Sequence, residues 1–198
     1  GAARCFSGLK LGCIPYLHAA GLDAPTSRLQ IMRPMALAFP GAPAVAHLDR
    51  QYLLGPDLLV APVFTADGDV EFYLPDGGWT DLWSGERVLG GRWRRERHGF
   101  RSLPLYARDG AVLPRGARHD RPDYDYTDGL TLELYPGEGA GERDVRVTRP
   151  DGSDAVFHVE WSDGRATARS AQASGWSLRV GPAGSPAAAV DGVAEVTW

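Results

Sequence analysis

Carboxylates, histidines, serines and aromatic rings are the groups in this sequence that could do chemistry, and most of them sit where turns need them. Asp57 in GPDLLVAPV, Asp76 in PDGG, Asp109 in RDG, Asp151 in PDG and Asp163 in SDG each have a turn-forming explanation. Asp49, next to Arg50 and ahead of an apolar stretch, reads as a helix cap. His98-Gly99-Phe100 with Ser102 offers a base and a hydroxyl, but without the strand-turn-helix setting that exposes a nucleophile. Gly137, Gly139 and Gly141 in PGEGAGE imitate a phosphate loop, yet strands flank them and no helix N-terminus follows, so the segment reads as a flexible connection. The five histidines, His18, His47, His98, His119 and His158, never fall at ligand spacing, so neither a metal nor a cofactor is expected. No catalytic residue is assigned. Asp123-Tyr124-Asp125-Tyr126 combines carboxylates with aromatic faces, and Trp79, Trp83 and Trp93 would stack on sugar rings if exposed. Burial in strand-rich cores, or bridging between domains, is the simpler explanation of these aromatics.

The elements that must position these groups are mainly strands. With 25 glycines and 15 prolines among 198 residues, the chain has many turns between short elements. Residues 6–20 carry a partly helical rhythm, interrupted by Gly12 and Pro15. Leu29–Phe39 is apolar enough for a buried strand, and LDRQYLLGPDLLVAPVF reads as a short helix followed by a strand at Leu58-Leu59-Val60. Val70–Leu74 and Trp79–Trp83 flank Pro75-Asp76-Gly77-Gly78 as a hairpin would, and Leu103–Tyr106 and Ala111–Leu113 flank Asp109-Gly110 in the same way. The polar run Arg115–Asp128 places a boundary near residue 126. Beyond it, Leu130–Tyr135, Val145–Arg149, Ala155–Trp161, Ala166–Arg169, Trp176–Val180 and Ala194–Trp198 predict a sandwich of about six strands.

A net charge of −4 and scattered arginines leave no basic footprint, which argues against nucleic acid as a partner. No apolar run approaches the ~20 residues of a membrane span, so no membrane partner is expected. Cys5 and Cys13 match neither a zinc pattern nor a disulfide framework and point to a reducing, cytoplasmic compartment.

MRPMALAFP followed by LDRQYLLGPDLLVAPVF resembles the end of the barrel in glycoside hydrolase family 31, the α-glucosidases and α-xylosidases. The resemblance continues through GDVEFYLPDGGWTDLWSGE, HGFRSLPLYARDGAVLP and RPDYDYTDG, and so covers roughly residues 29–130. It implies a mainly β chain: the last part of a (β/α)8 barrel over residues 1–52, then two small antiparallel β-sandwich domains, proximal over 53–126 and distal over 127–198. Members of the family use two aspartates in a double displacement that retains configuration. Both belong to earlier barrel strands, and nothing here matches their motifs. Arg33, on the implied last barrel strand, is the one substrate-binding candidate, since residues at strand C-termini reach a barrel's mouth; an arginine paired with a carboxylate inside the barrel is the competing explanation. The implied partner is an α-linked xyloside or glucoside, reached through the barrel, and GDVEFYLP with HGF and SLPLYARDG is more similar to the α-xylosidase branch. The start at Gly1 is what a fragment would show. The breaks at Gly12-Cys13 and GLDAPTSRLQ depart from the family pattern, as does the absence of glycine and proline before MRPM. A freestanding carbohydrate-binding module is the alternative. On the fragment reading, the apolar surface of Leu29–Val63 lacks a partner in the isolated chain, so poor solubility or homo-oligomerisation is expected.

Overall fold

The computed structural model describes residues 2–198, apart from the side chains of Ala2 and Cys5, so the sequence reading of Cys5 lies outside the described residues. The chain is mainly β and divides into two compact units, Ala20–Asp109 forming the first and Ala3–Ala19 with Gly110–Trp198 the second. The break falls at Asp109–Gly110, ahead of the polar run where the sequence suggests it, because the strand after Gly110 bonds to the strand at 131–135.

Helices α1 (Ala2–Gly12) and α2 (Ile14–Ser27) open the chain. In the first unit follow β1 (Met32–Pro34), a single-turn helix α3 (Met35–Ala38), β2 (Tyr52–Leu54), β3 (Leu58–Val60), β4 (Asp69–Leu74), β5 (Gly78–Asp81), β6 (Arg87–Leu89), β7 (Arg92–Arg97) and β8 (Leu105–Arg108). An antiparallel six-stranded sheet runs in the order β1-β2-β3-β8-β5-β6, and β4 and β7 form a separate two-stranded ribbon. Leu53, Leu59 and Tyr106 from the sheet share one core with Val70, Phe72 and Leu74 from the ribbon.

Five expectations change here. Leu29–Phe39 is not one buried strand: three residues pair with β2, the chain then turns into α3, and Met32 and Leu37 are exposed while Met35 is buried. The stretch before Leu58 is strand β2, not helix, because Gly55 at φ 65° supports a tight turn that returns β3 onto it. Asp49 therefore caps no helix. β4 pairs with β7, and β5 with β6 and β8, so the predicted hairpin around Pro75–Gly78 does not form. The predicted hairpin at Asp109-Gly110 is also absent: β8 pairs with β3 and β5, whereas the next strand pairs onward.

The second unit contains β9 (Ala111–Arg115), β10 (Thr131–Tyr135), β11 (Gly141–Thr148), β12 (Asp154–Ser162), β13 (Arg165–Arg169), β14 (Ser177–Val180), β15 (Ala187–Ala188) and β16 (Val193–Thr197). Two four-stranded sheets, β15-β14-β10-β9 and β11-β12-β13-β16, face a common core. The six predicted strands are present, but β10 and β14 run parallel, so the unit is not purely antiparallel. Strict alternation explains β12, where Ala155, Phe157, Val159 and Trp161 are buried and Asp154, Val156, His158, Glu160 and Ser162 between and beside them are not. Gly141 lies within β11, where a Cβ would collide with the Trp161 ring, so the third glycine of PGEGAGE makes room for a core tryptophan. Buried Glu133 accepts from Arg179 and from the Tyr135 hydroxyl. Arg115 lies 3.9 Å from the same carboxylate and donates to the buried Cys13 sulfur at 2.6 Å. Burial raises the Cys13 thiol above its ordinary range despite Arg115. Among the described residues no helix is long and apolar enough to cross a membrane.

Candidate functional site: an aromatic and acidic cleft in the first unit

The register of the β4–β7 ribbon decides which side chains face outward. Tyr73 lies opposite Trp93, Glu71 opposite Arg95 and Asp69 opposite Arg97, and directly opposed residues share a face. Since Val70, Phe72 and Leu74 take the core side, period-two alternation turns the other set outward. One strip of the ribbon therefore presents two aromatic rings followed by alternating acids and bases. Trp93 is 54% exposed, whereas Trp79 is 1% exposed, with its indole N–H donating to the Pro75 carbonyl at 2.8 Å. Trp83 is half-buried and donates to the Leu103 carbonyl at 2.7 Å. Of the three tryptophans with stacking potential, only Trp93 is an exposed platform. Tyr73 supports it edge-on, with ring centres 5.7 Å apart.

This strip forms one wall of a cleft of about 560 Å³. The loop His47–Gln51 and the segment around Phe64 and Thr65 complete it. Gln51 fixes the loop. Its buried amide donates to the Tyr73 carbonyl and accepts from the Tyr73 N–H, both at 2.8 Å. A side chain thus satisfies the outer edge of β4 as a neighbouring strand would. The loop before β4 is held as firmly: Thr65 Oγ1 donates to the Asp69 carbonyl at 2.6 Å, Arg97 Nε donates to the Asp67 carbonyl at 3.0 Å, and the His98 N–H donates to the Gly68 carbonyl at 2.9 Å. Gly68 has φ 85° and no space for a Cβ beside the His98 carbonyl. Asp69 is ion-paired with Arg95 at 2.7 Å.

On the inner side of β7, Arg94, Glu96 and His98 follow at two-residue spacing. Glu96 accepts from the Tyr106 hydroxyl at 2.5 Å and from Arg94 at 3.1 Å, and His98 bridges Glu96 and Ser102 at 2.9 Å each. The sequence offers His98 and Ser102 as a base and a hydroxyl without a nucleophile's setting, and the structure joins them to Glu96, whose i, i+2 spacing from His98 puts the two on one face. Burial alone would raise the Glu96 carboxyl, but hydrogen bonds from Tyr106, His98 and Arg94 hold it below its ordinary value. Those contacts, and the absence of a nucleophile elbow, make this chain of side chains an anchor that ties the 98–104 loop to β7.

The other candidates lie elsewhere. Arg33 is half-buried on β1, with Nε donating to the Gln30 carbonyl at 3.2 Å, and does not line the cleft. In the second unit, Asp125 accepts from the Thr127 N–H at 2.9 Å, and Tyr124 and Tyr126 pack edge to face at 5.2 Å. Tyr126 also packs edge-on against His18 at 5.6 Å, so the motif is tied into the second unit's own packing. Asp109 is held by Arg87 at 2.6 Å and Asp151 accepts from the Ser153 N–H at 2.9 Å, as turn carboxylates do, whereas Asp57 is both in a turn and buried.

The fold is a chain of two β-rich units, the first of which carries the cleft. Residues 28–113 match the glycosyl hydrolase family 31 C-terminal domain, and the chain resembles the C-terminal part of that family. An α-xylosidase of Emericella nidulans is 36% identical over 160 residues, covering 76% of this chain and 20% of the relative. An α-xylosidase of Saccharolobus solfataricus is 33% identical over 132 residues, covering 66% and 18%. The cycloalternan-forming enzyme of Listeria monocytogenes, solved with a pentasaccharide substrate, superposes with a TM-score of 0.79 at 26% identity, covering 89% of this chain and 18% of that one. The chain thus spans about a fifth of the length of the curated relatives it matches.

Proposed function

We propose that this chain is the C-terminal, non-catalytic part of a retaining α-glycosidase that prefers α-xylosides. In this reading the two β units brace a (β/α)8 barrel supplied by the rest of the enzyme, and Arg33 faces the substrate from β1; residues 1–52 are not the end of that barrel, as β1 pairs antiparallel with β2 in the first unit's sheet, whereas barrel strands run parallel. The observation that carries the reading is the 36% identity, sustained over 160 residues, to an α-xylosidase. The carboxylates in hand support the non-catalytic part of it. Retaining hydrolysis needs two carboxyls roughly 5–5.5 Å apart, one of which keeps its proton until it is transferred. In the cleft, Asp69 is committed to Arg95 at 2.7 Å. An arginine-paired carboxylate serves as an acceptor and makes a poor proton donor. The exposed Met32 and Leu37 are consistent with a surface that a barrel would cover. The test is the product of the whole gene, assayed with nitrophenyl α-xyloside and nitrophenyl α-glucoside. A higher kcat/KM for the xyloside, with retained configuration, supports the proposal; a preference for glucoside removes the xylosidase assignment, and no turnover of either removes the glycosidase assignment.

A further inference from the structure

We infer that the cleft between the ribbon and the 47–51 loop is itself a saccharide-binding site, for a short neutral oligosaccharide stacked on Trp93. The inference requires only residues 47–97 and holds whichever linkage the proposed parent enzyme cleaves. Five observations carry it. Trp93 is a large exposed ring held in place by Tyr73, and the apolar C–H face of a pyranose covers such a ring while its hydroxyls remain at the edge. Asp49 and Glu71 supply carboxylate acceptors for vicinal hydroxyls, and Arg50 and Arg95 supply donors, so a ring on Trp93 meets both kinds of partner. Acids and bases in the lining nearly balance, which suits an uncharged ligand better than a phosphate, a polyamine or an acidic peptide. The cleft's volume, about 560 Å³, falls in the range of about 300–1,000 Å³ typical of small-molecule pockets. Its walls are fixed before any ligand arrives: Gln51 locks one to the Tyr73 backbone, and the Thr65 and Arg97 hydrogen bonds lock the other, so little ordering cost accompanies binding.

The experiment is titration of the 198-residue chain, ¹⁵N-labelled, with maltotriose and separately with an α-1,6-linked xylosyl-glucose disaccharide, with sorbitol as the non-ring control. Saturable shifts of the Trp93 indole N–H and of amides in 47–51 and 65–71 are expected with at least one saccharide, and none with sorbitol. Trp93→Ala is expected to weaken binding by about tenfold or more, and Trp93→Phe by less. Trp198→Ala, at an exposed tryptophan outside the cleft, should leave binding unchanged. Wild-type dispersion of the spectrum shows that each variant is folded. No saturable shift with either saccharide, or binding that survives Trp93→Ala, overturns the inference. Hydrolysis by the whole gene product is a separate readout, so failure here and failure of the glycosidase proposal are distinguishable.

Discussion

Gln51 gives the sharpest test of how the cleft is held. The ribbon is only two strands wide, and the N–H and C=O of Tyr73 point away from β7 to meet the Gln51 amide at 2.8 Å each. Gln51→Ala removes both bonds and leaves two main-chain groups without their partner in a place where Gln51 itself is only 5% exposed. Each net hydrogen bond contributes about 1 kcal/mol, and each stranded buried group costs about 1–3 kcal/mol. Partial entry of water into the vacated space limits the total to about 2–4 kcal/mol. Gln51→Glu separates the two bonds. Its carboxylate still accepts from the Tyr73 N–H but faces the Tyr73 carbonyl with a second acceptor, so the folded state raises its pKa above the unfolded value of about 4.3. A raised folded pKa means that the folded state binds more protons there, so this variant becomes more stable relative to wild type as pH falls toward that value. Urea unfolding of the chain, followed by amide exchange along β4 and β7 at pH 7.5 and at pH 4.5, reads both effects. A Gln51→Ala change below about 0.5 kcal/mol, or a Gln51→Glu deficit that does not shrink in acid, would refute the reasoning.

Three further outcomes are expected. Gly90→Ala should cost more than about 2 kcal/mol, because its Cβ would occupy the place of the Pro75 carbonyl oxygen, whereas Gly99→Ala, with nothing within 4 Å, should change stability by less than about 0.5 kcal/mol; thermal melts of the pair decide this. Glu133→Ala should destabilise the second unit by roughly 3 kcal/mol, as it leaves Arg179, Arg115 and the Tyr135 hydroxyl around an empty buried space, and fluorescence of Trp176 would report it. Glu96, held below its ordinary value of 4.5, contributes stability that is present above that pH and lost as pH falls through its folded value. Melting temperature measured from pH 6 to pH 3 should therefore show Glu96→Gln below wild type at pH 6, with the gap closing in acid; a constant gap contradicts the assignment.

The strands were largely legible in the sequence because burial alternates along them, as Ala155–Trp161 shows. Their pairing was not. The turn at Pro75-Asp76-Gly77-Gly78 looks like a hairpin, but Gly90 and Gly91 bond to Gly77 and Leu74 and draw β7, not β5, onto β4. That choice depends on contacts more than a dozen residues apart, which no local pattern records. The same choice decides the cleft. Trp79, Trp83 and Trp93 are chemically alike in the sequence, and only the β4–β7 register determines that Trp93 alone faces outward as a platform. Gln51 carried no signal, since a glutamine between Arg50 and Tyr52 is unremarkable until Tyr73 is found 22 residues away. Leu29–Phe39 was overread because apolar content was taken as burial, whereas Met32 and Leu37 are exposed.

The most direct measurement of the account is release of nitrophenol from nitrophenyl α-xyloside by the purified, folded 198-residue chain, run beside the whole gene product at equal concentration. If this chain is the bracing part of an α-glycosidase, the whole product turns over and the 198 residues release nothing above the buffer rate. Turnover by the 198 residues themselves would contradict the account, because the account assigns both catalytic aspartates to barrel strands that these residues do not supply.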